Sequence, residues 1–265
     1  MWIAPISDPH VRPRGVLYNG VIDTGAALAA VVAQINALEP LPDLVLLSGD
    51  VVDEGSPAEY ANAVAVLAGL RVPLRVIPGN HDEPGAFRAA FAGHAYLPPA
   101  GPLHFIDDEA GPVRIVGFDV TVPGFHHGLA DAEALAWLGN ALAAAPYRPT
   151  LVMMHQPPLM TDVPYLDDYR CLGADRLERL VARFPAVERV LCGHVHRHMA
   201  MRFGGTLLCT APSTATAIAL HPVPGAPPAS FLEPPGFLLL HWAPGRGLLT
   251  HLVPVGRFPG PFPFA

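Results

Sequence analysis

No run of about 20 apolar residues occurs in the chain, so no membrane-spanning helix is expected. Nor does Met1 open a basic segment followed by a long apolar one. Trp2-Ile3-Ala4-Pro5-Ile6 runs directly towards Asp8, which reads as no signal peptide. Cysteine is scarce: Cys171, Cys192 and Cys209 are odd in number and contain no CxxC pair. Neither a disulfide framework nor a zinc ribbon is suggested, and a reducing, cytoplasmic setting fits best. Charge is sparse too, at 15% of residues with a net of −7 and no Lys/Arg-rich face, which argues against a nucleic acid polymer as partner. An anionic substrate would have to find positive charge elsewhere, and metal ions can supply it. Internal repeats and clear linkers are also absent, so residues 1–265 read as one domain with a Pro-rich C-terminal segment.

What is present is apolar and patterned. At 265 residues and 51% hydrophobic, the chain can bury a sizeable core. Leu44-Val45-Leu46-Leu47, bounded by Pro42-Asp43 and Ser48-Gly49, reads as a short strand buried on both faces, hence a sheet covered by other layers. Residues 2–6 read as another strand. Between them, residues 23–38 carry Ala, Val, Leu and Ile at helical spacing up to Pro40, which makes a βαβ crossover. Ser56-Pro57 opens a second helix through about residue 70, and residues 71–77 form a third strand. Residues 84–102 read as helix and then loop, 121–128 as a Gly/Pro/His loop, and 164–172 as an acidic, aromatic loop. Strands are expected at 113–120, 149–154 and 187–192, with helices at 131–145 and 175–184. Strands at 207–210, 237–242 and 248–253 are expected to sit together as a second sheet, and Pro-rich residues 222–235 and 254–265 to be connections.

Five of these strands end in metal-binding chemistry. The ends carry Asp8 and His10, then Asp50, then Asn80 and His81, then His155, then His194 and His196. Any one has a bland explanation as a capped or hydrogen-bonded turn. Taken together, carboxylate, amide and imidazole without thiolate describe a catalytic site for two metal ions rather than a structural zinc site. A carboxylate placed as Asp50 is has two oxygens and can bridge both ions. His94 and His104 show no ligand spacing, and His126 and His127 read as an exposed loop tip; His198 reads as solvent-facing or as supporting a ligand.

The order of these motifs, D-x-H, G-D, G-N-H-D, H and G-H-x-H, resembles that of the calcineurin-like metallophosphoesterases along nearly the whole chain. Ser48-Gly49-Asp50-Val51-Val52, Pro78-Gly79-Asn80-His81-Asp82 and Cys192-Gly193-His194-Val195-His196 are most similar to the class III cyclic nucleotide phosphodiesterases, the group that includes the bacterial glycerophosphodiesterases. The resemblance implies an α/β fold: a four-layer αββα sandwich of two mixed sheets flanked by helices. It makes Asp8, His10 and His196 ligands of one ion and Asn80, His155 and His194 ligands of the other, with Asp50 bridging. Asn80 and His81 would also touch substrate, with Asp82 orienting His81, so that Asp50, His81 and Asp82 carry the catalysis. It further implies hydrolysis of small phosphodiesters (glycerophosphodiesters, 3′,5′-cyclic nucleotides, aryl diesters) by attack of a metal-bound hydroxide, in a dimer or larger homo-oligomer. The ions would be divalent or mixed-valence, since these ligands suit Fe, Mn, Zn and Co alike.

At one position the chain departs from that pattern. Thr216, in Pro212-Ser213-Thr214-Ala215-Thr216, stands where such phosphodiesterases often place a His, and a hydroxyl brings no positive charge to a phosphate oxygen. Asp53 is a further candidate, for holding a water or repelling a dianionic monoester at the substrate, or simply for capping the helix or turn that follows. A phosphomonoesterase or phosphonate monoester hydrolase could use the same core. A metal-free scaffold is the non-enzymatic alternative, weakened because every ligand position is filled.

Overall fold

The computed structural model describes residues 1–264. β1 (Trp2–Ile6) leads through α1 (Thr24–Asn36) to β2 (Leu44–Ser48), and α2 (Pro57–Leu67) returns the chain to β3 (Leu74–Ile77). These helices start where their caps dictate. The Asp23 side chain accepts from the Ala26 amide, and Ser56 and Glu59 form a reciprocal capping box with Pro57 at the first turn. After α3 (Pro84–Ala90) come β4 (Phe105–Asp107), β5 (Arg114–Gly117), the short β6 (Gly128–Leu129), α4 (Ala132–Ala143) and β7 (Thr150–Met153). Next follow α5 (Pro164–Asp167), β8 (Cys171–Leu172), α6 (Ala174–Val181), β9 (Val187–Cys192), β10 (Ala200–Phe203) and β11 (Thr206–Thr210). The two-residue strands β12 (Ala217–Ile218) and β13 (Ser230–Phe231) precede a final hairpin of β14 (Gly236–Ala243) and β15 (Gly247–Pro254).

Two mixed sheets result, in the orders β15-β14-β1-β2-β3 and β10-β11-β9-β7-β5-β4. In the first, β1, β2 and β3 are parallel; in the second, β5, β7, β9 and β11 are parallel. Alternation along β2 shows how the sheets stack. Leu44 and Leu46 face Ile115, Leu151, Met153 and Leu191 of the other sheet, while Val45 and Leu47 face Leu28, Val31 and Ile35 of α1. The second sheet likewise turns Val152 and Val190 onto Leu138 and Leu142 of α4 and Leu177 and Val181 of α6. The layers are therefore helix, sheet, sheet, helix, as the resemblance implied. Among the described residues, no helix is long and apolar enough to cross a membrane.

One expectation fails. The strands at 237–242 and 248–253 share a sheet as expected, but that at 207–210 does not join them: β11 pairs with β9, whereas β14 pairs with β1 and β15 with β14. The apolar pattern found the strands but held no information on partners. The open edge of β1 gives the last hairpin a ladder to join. β4, β10 and the β6–β8 and β12–β13 pairs are too short for periodicity to reveal, and α5 and β8 lie within the stretch read as a loop.

Leu46 is fully buried at the centre of the inter-sheet layer. Leu46→Ala should lower the unfolding free energy by about 2–5 kcal/mol, read from the shift in urea midpoint at constant slope.

Candidate metal centre

Parallel pairing sets the carboxyl ends of β1, β2 and β3 side by side, and those of β7 and β9 likewise. Hydrogen bonds then tie the ends together. The Asp8 amide donates to Gly49 O at 3.1 Å and the His10 amide to Asp50 O at 3.0 Å. Across the sheets, the His194 amide donates to the Asp8 carboxylate at 3.0 Å. Asp8, His10, Asp50, His194 and His196 all have φ between 43° and 72°. This left-handed conformation is uncommon outside glycine and swings each side chain off its strand axis. Close approach also needs glycine: a Cβ on Gly79 would lie 2.2 Å from Asp50 Oδ1, and one on Gly193 would lie 2.1 Å from Ser7 Oγ. Gly79 serves here for space, since its φ is not left-handed.

Two ligand groups face each other. Asp8, His10 and His196 present atoms within 4.8 Å of one another, as do Asp50, His155 and His194. Asp50 Oδ2 lies 3.2 Å from His155 Nε2 and 3.5 Å from His10 Nε2, between the two groups. Asp8 Oδ1 stands 4.0 Å from His155 Nε2 and 3.6 Å from His196 Nε2. Asn80 lines the same cleft, with Nδ2 at 3.1 Å from His126 Nδ1.

The donor set fits cations. His155 Nδ1 lies 2.7 Å from Ser48 O and His196 Nδ1 lies 2.9 Å from Thr216 O. A carbonyl only accepts, so both Nδ1 atoms carry the proton, and in the neutral ring each Nε2 presents its lone pair inward, as metal-ligating imidazoles do. His155 Nε2 and His194 Nε2 are buried without a hydrogen-bond partner. His10 Nε2 and His196 Nε2 point at each other at 3.1 Å. Burial, with His155 adding repulsion, pushes His194 down to about 3, and burial with repulsion from His10 pushes His196 well below the usual histidine range. Both are thus neutral ligands. Burial lifts the Asp8 carboxyl to about 6. At Asp50 burial acts in the same direction, but His155 and His81 outweigh it and hold the carboxyl well below the usual range. Burial would depress His155, yet Asp50 and Asp8 raise it to about 9. In other words, the cluster attracts positive charge.

A cleft of about 420 Å³ opens onto this cluster. Asn80, His81 and Thr216 line it, together with residues the sequence did not single out: Tyr18, Asn19, Tyr165, Tyr169 and Ser230. The aromatic composition of residues 164–172 was the available signal for two of them. His126, read as an exposed tip, is exposed but folds over the cleft, held by the Asn80 contact. Thr216 is buried and its hydroxyl has no partner. Asp82 does not orient the His81 ring. Its carboxylate accepts from the amides of Gly79 at 2.8 Å and Val51 at 3.1 Å and from Tyr60 Oη at 2.7 Å, pinning the backbone around Asp50. The His81 ring is held instead by Asp53 O, 2.7 Å from Nδ1. Asp53 is not among the residues lining the cleft, and the cap of α2 is Ser56.

Residues 1–198 match the family model of the calcineurin-like phosphoesterases. The glycerophosphodiester phosphodiesterase GpdQ of Enterobacter lignolyticus is 34% identical, over 99% of this chain and 94% of that protein. The 3′,5′-cyclic adenosine monophosphate phosphodiesterase CpdA of Escherichia coli K12 is 32% identical, over 83% of this chain and 78% of its own length. Among solved structures, a dimetal phosphatase from Danio rerio superposes with a TM-score of 0.69 over 97% of this chain and 99% of that one; at 13% identity the likeness is one of fold.

Because the Gly79 position abuts the Asp50 carboxylate, Gly79→Ala should displace it and lower bound metal to below one ion per chain by elemental analysis. Gly139→Ala, in α4 with its nearest neighbour the Leu180 side chain at 3.4 Å, should leave metal content unchanged.

Proposed function

The chain belongs to the calcineurin-like phosphoesterases, and from that premise we propose that it is a dimetal phosphodiesterase acting on small diesters: glycerophosphodiesters, 3′,5′-cyclic nucleotides and aryl diesters. One ion is held by Asp8, His10 and His196 and the other by Asn80, His155 and His194, with Asp50 shared. The observation that carries the reading is the pair of buried ligand groups that meet at Asp50 on the floor of an open cleft. Relatives similar along most of this chain and named for diester hydrolysis support the substrate class.

Bound cations supply an activated water and the charge that offsets negative charge building on phosphorus. The chain's own part is positioning. His81 donates Nδ1–H to Asp53 O, which leaves Nε2 as the nitrogen that, in the doubly protonated imidazolium, donates to a non-bridging phosphate oxygen or gives its proton to the leaving oxygen. Asn80 and His126 stand beside it and can fix the diester's orientation. All 16 basic residues of the chain are Arg, and none is among the described residues lining the cleft. A diester, with one negative charge, is the easier fit to that lining, and a nucleic acid polymer is disfavoured. Self-association belongs to the same proposal: β15 is a sheet edge with Leu249 and Leu252 exposed, the kind of edge that proteins cover.

With paired nitrophenyl substrates, the diester should turn over faster than the monoester; a monoester rate well above the diester rate would contradict the proposal. His81→Ala and Asn80→Ala should each lower kcat on the order of 10²-fold or more, with Asn80→Ala also weakening one ion.

A further inference from the structure

Three of the four imidazoles in the ligand groups have no carboxylate partner at Nδ1 among the described residues. His155 and His196 are fixed by backbone carbonyls, and no carboxylate oxygen stands within 4.0 Å of the His194 ring nitrogens among the described residues. His10 differs. Its buried Nδ1 has no aligned hydrogen bond, and the nearest carboxylate oxygen to it is Asp53 Oδ1, at 3.4 Å. Its Nε2 faces Asp50 and His196.

Asp53 is itself held from behind. Arg12 Nη1 lies 2.9 Å from Asp53 Oδ2, 2.8 Å from Glu54 Oε1 and 2.9 Å from Glu59 Oε1. Glu59 is fully buried and completes the α2 capping box, its Oε2 accepting from the Ser56 amide at 2.9 Å. The Arg12 backbone carbonyl accepts from Asn62 Nδ2 at 2.8 Å, so both ends of Arg12 are fixed to α2. A continuous set of contacts thus runs from a helix cap through Arg12 and Asp53 to one imidazole.

We infer that Asp53, clamped by Arg12, is a positioning residue for His10: its carboxylate accepts His10 Nδ1–H, fixes the tautomer that presents Nε2, and strengthens that nitrogen as a ligand of the ion held with Asp8 and His196. The inference rests on the dimetal reading above and adds an asymmetry to it. A carboxylate behind an imidazole makes it a better donor than a carbonyl does. The His10 ion is therefore bound through a side-chain support that the His155 and His194 ion lacks. His81 takes its bond from the Asp53 carbonyl, so the Asp53 side chain can be changed without removing the His81 anchor.

The test is titration of the full-length, chelator-stripped protein with Co²⁺, followed by calorimetry and by the visible spectrum of the bound ion. Wild type should bind two ions per chain. Asp53→Asn, close to isosteric, should weaken one of the two steps on the order of 10- to 100-fold and leave the other within a factor of two. Arg12→Ala should weaken the same step. Thermal melts of the stripped proteins separate misfolding from ligand weakening, and Asp53→Asn should melt within a few degrees of wild type. Two unchanged steps in Asp53→Asn, or equal weakening of both, would overturn the inference. Fewer than two ions on wild type would instead overturn the dimetal reading itself.

Discussion

The structure depends on keeping two carboxylates, Asp8 and Asp50, away from water in the company of four imidazoles. An isolated ionised carboxylate does not survive burial unless it is paired or hydrogen-bonded. Here the pairing is spread over five loops that come from two different sheets. The strand ends must arrive together, because each supplies what another lacks: the Asp8 carboxylate takes the His194 amide, and the Asp50 carboxylate takes the His81 amide at 2.9 Å. The inter-sheet layer of Leu44, Leu46, Leu151 and Leu191 is what brings those ends to one edge.

The sequence made the site easier to read than the fold. Ligand residues announce themselves, because Asp, His and Asn directly after short apolar runs have few structural reasons to recur five times. Sheet partnership leaves no such trace: β11 and β14 are both apolar strands, and only the free ladder of β1 decides which sheet each joins. Supporting residues were hardest. Asp82 follows His81 in the chain yet bonds to Gly79, Val51 and Tyr60, since it closes the turn that starts at Gly79 and so faces that turn's first amide and the segments packed beside it. Arg12 and Glu59 look like ordinary surface charge until α2 folds them against Asp53.

The cleft joins two kinds of surface. Its floor carries the two ligand groups. Its walls are aromatic and hydroxyl-bearing: Tyr18 packs 5.4 Å from the His10 ring, Tyr169 lies 5.3 Å from His126, and the hydroxyl of Thr216 is unpartnered. With Thr216 neutral and Arg absent from the described lining, the walls of the cleft present no fixed positive side chain to a phosphate oxygen.

The left-handed backbone at Asp8, His10, Asp50, His194 and His196 restricts which residues could ever stand there. Asp, Asn and His are the non-glycine types that enter this conformation most readily, and β-branched or bulky residues enter it poorly. Glutamate could offer the same carboxylate to a cation but suits the backbone less well, and a longer side chain would overshoot the space left by Gly79 and Gly193. The amino-acid alphabet of the centre is thus filtered twice, once by coordination chemistry and once by torsion. A variant that keeps a donor atom and ignores the torsion would lose the centre all the same.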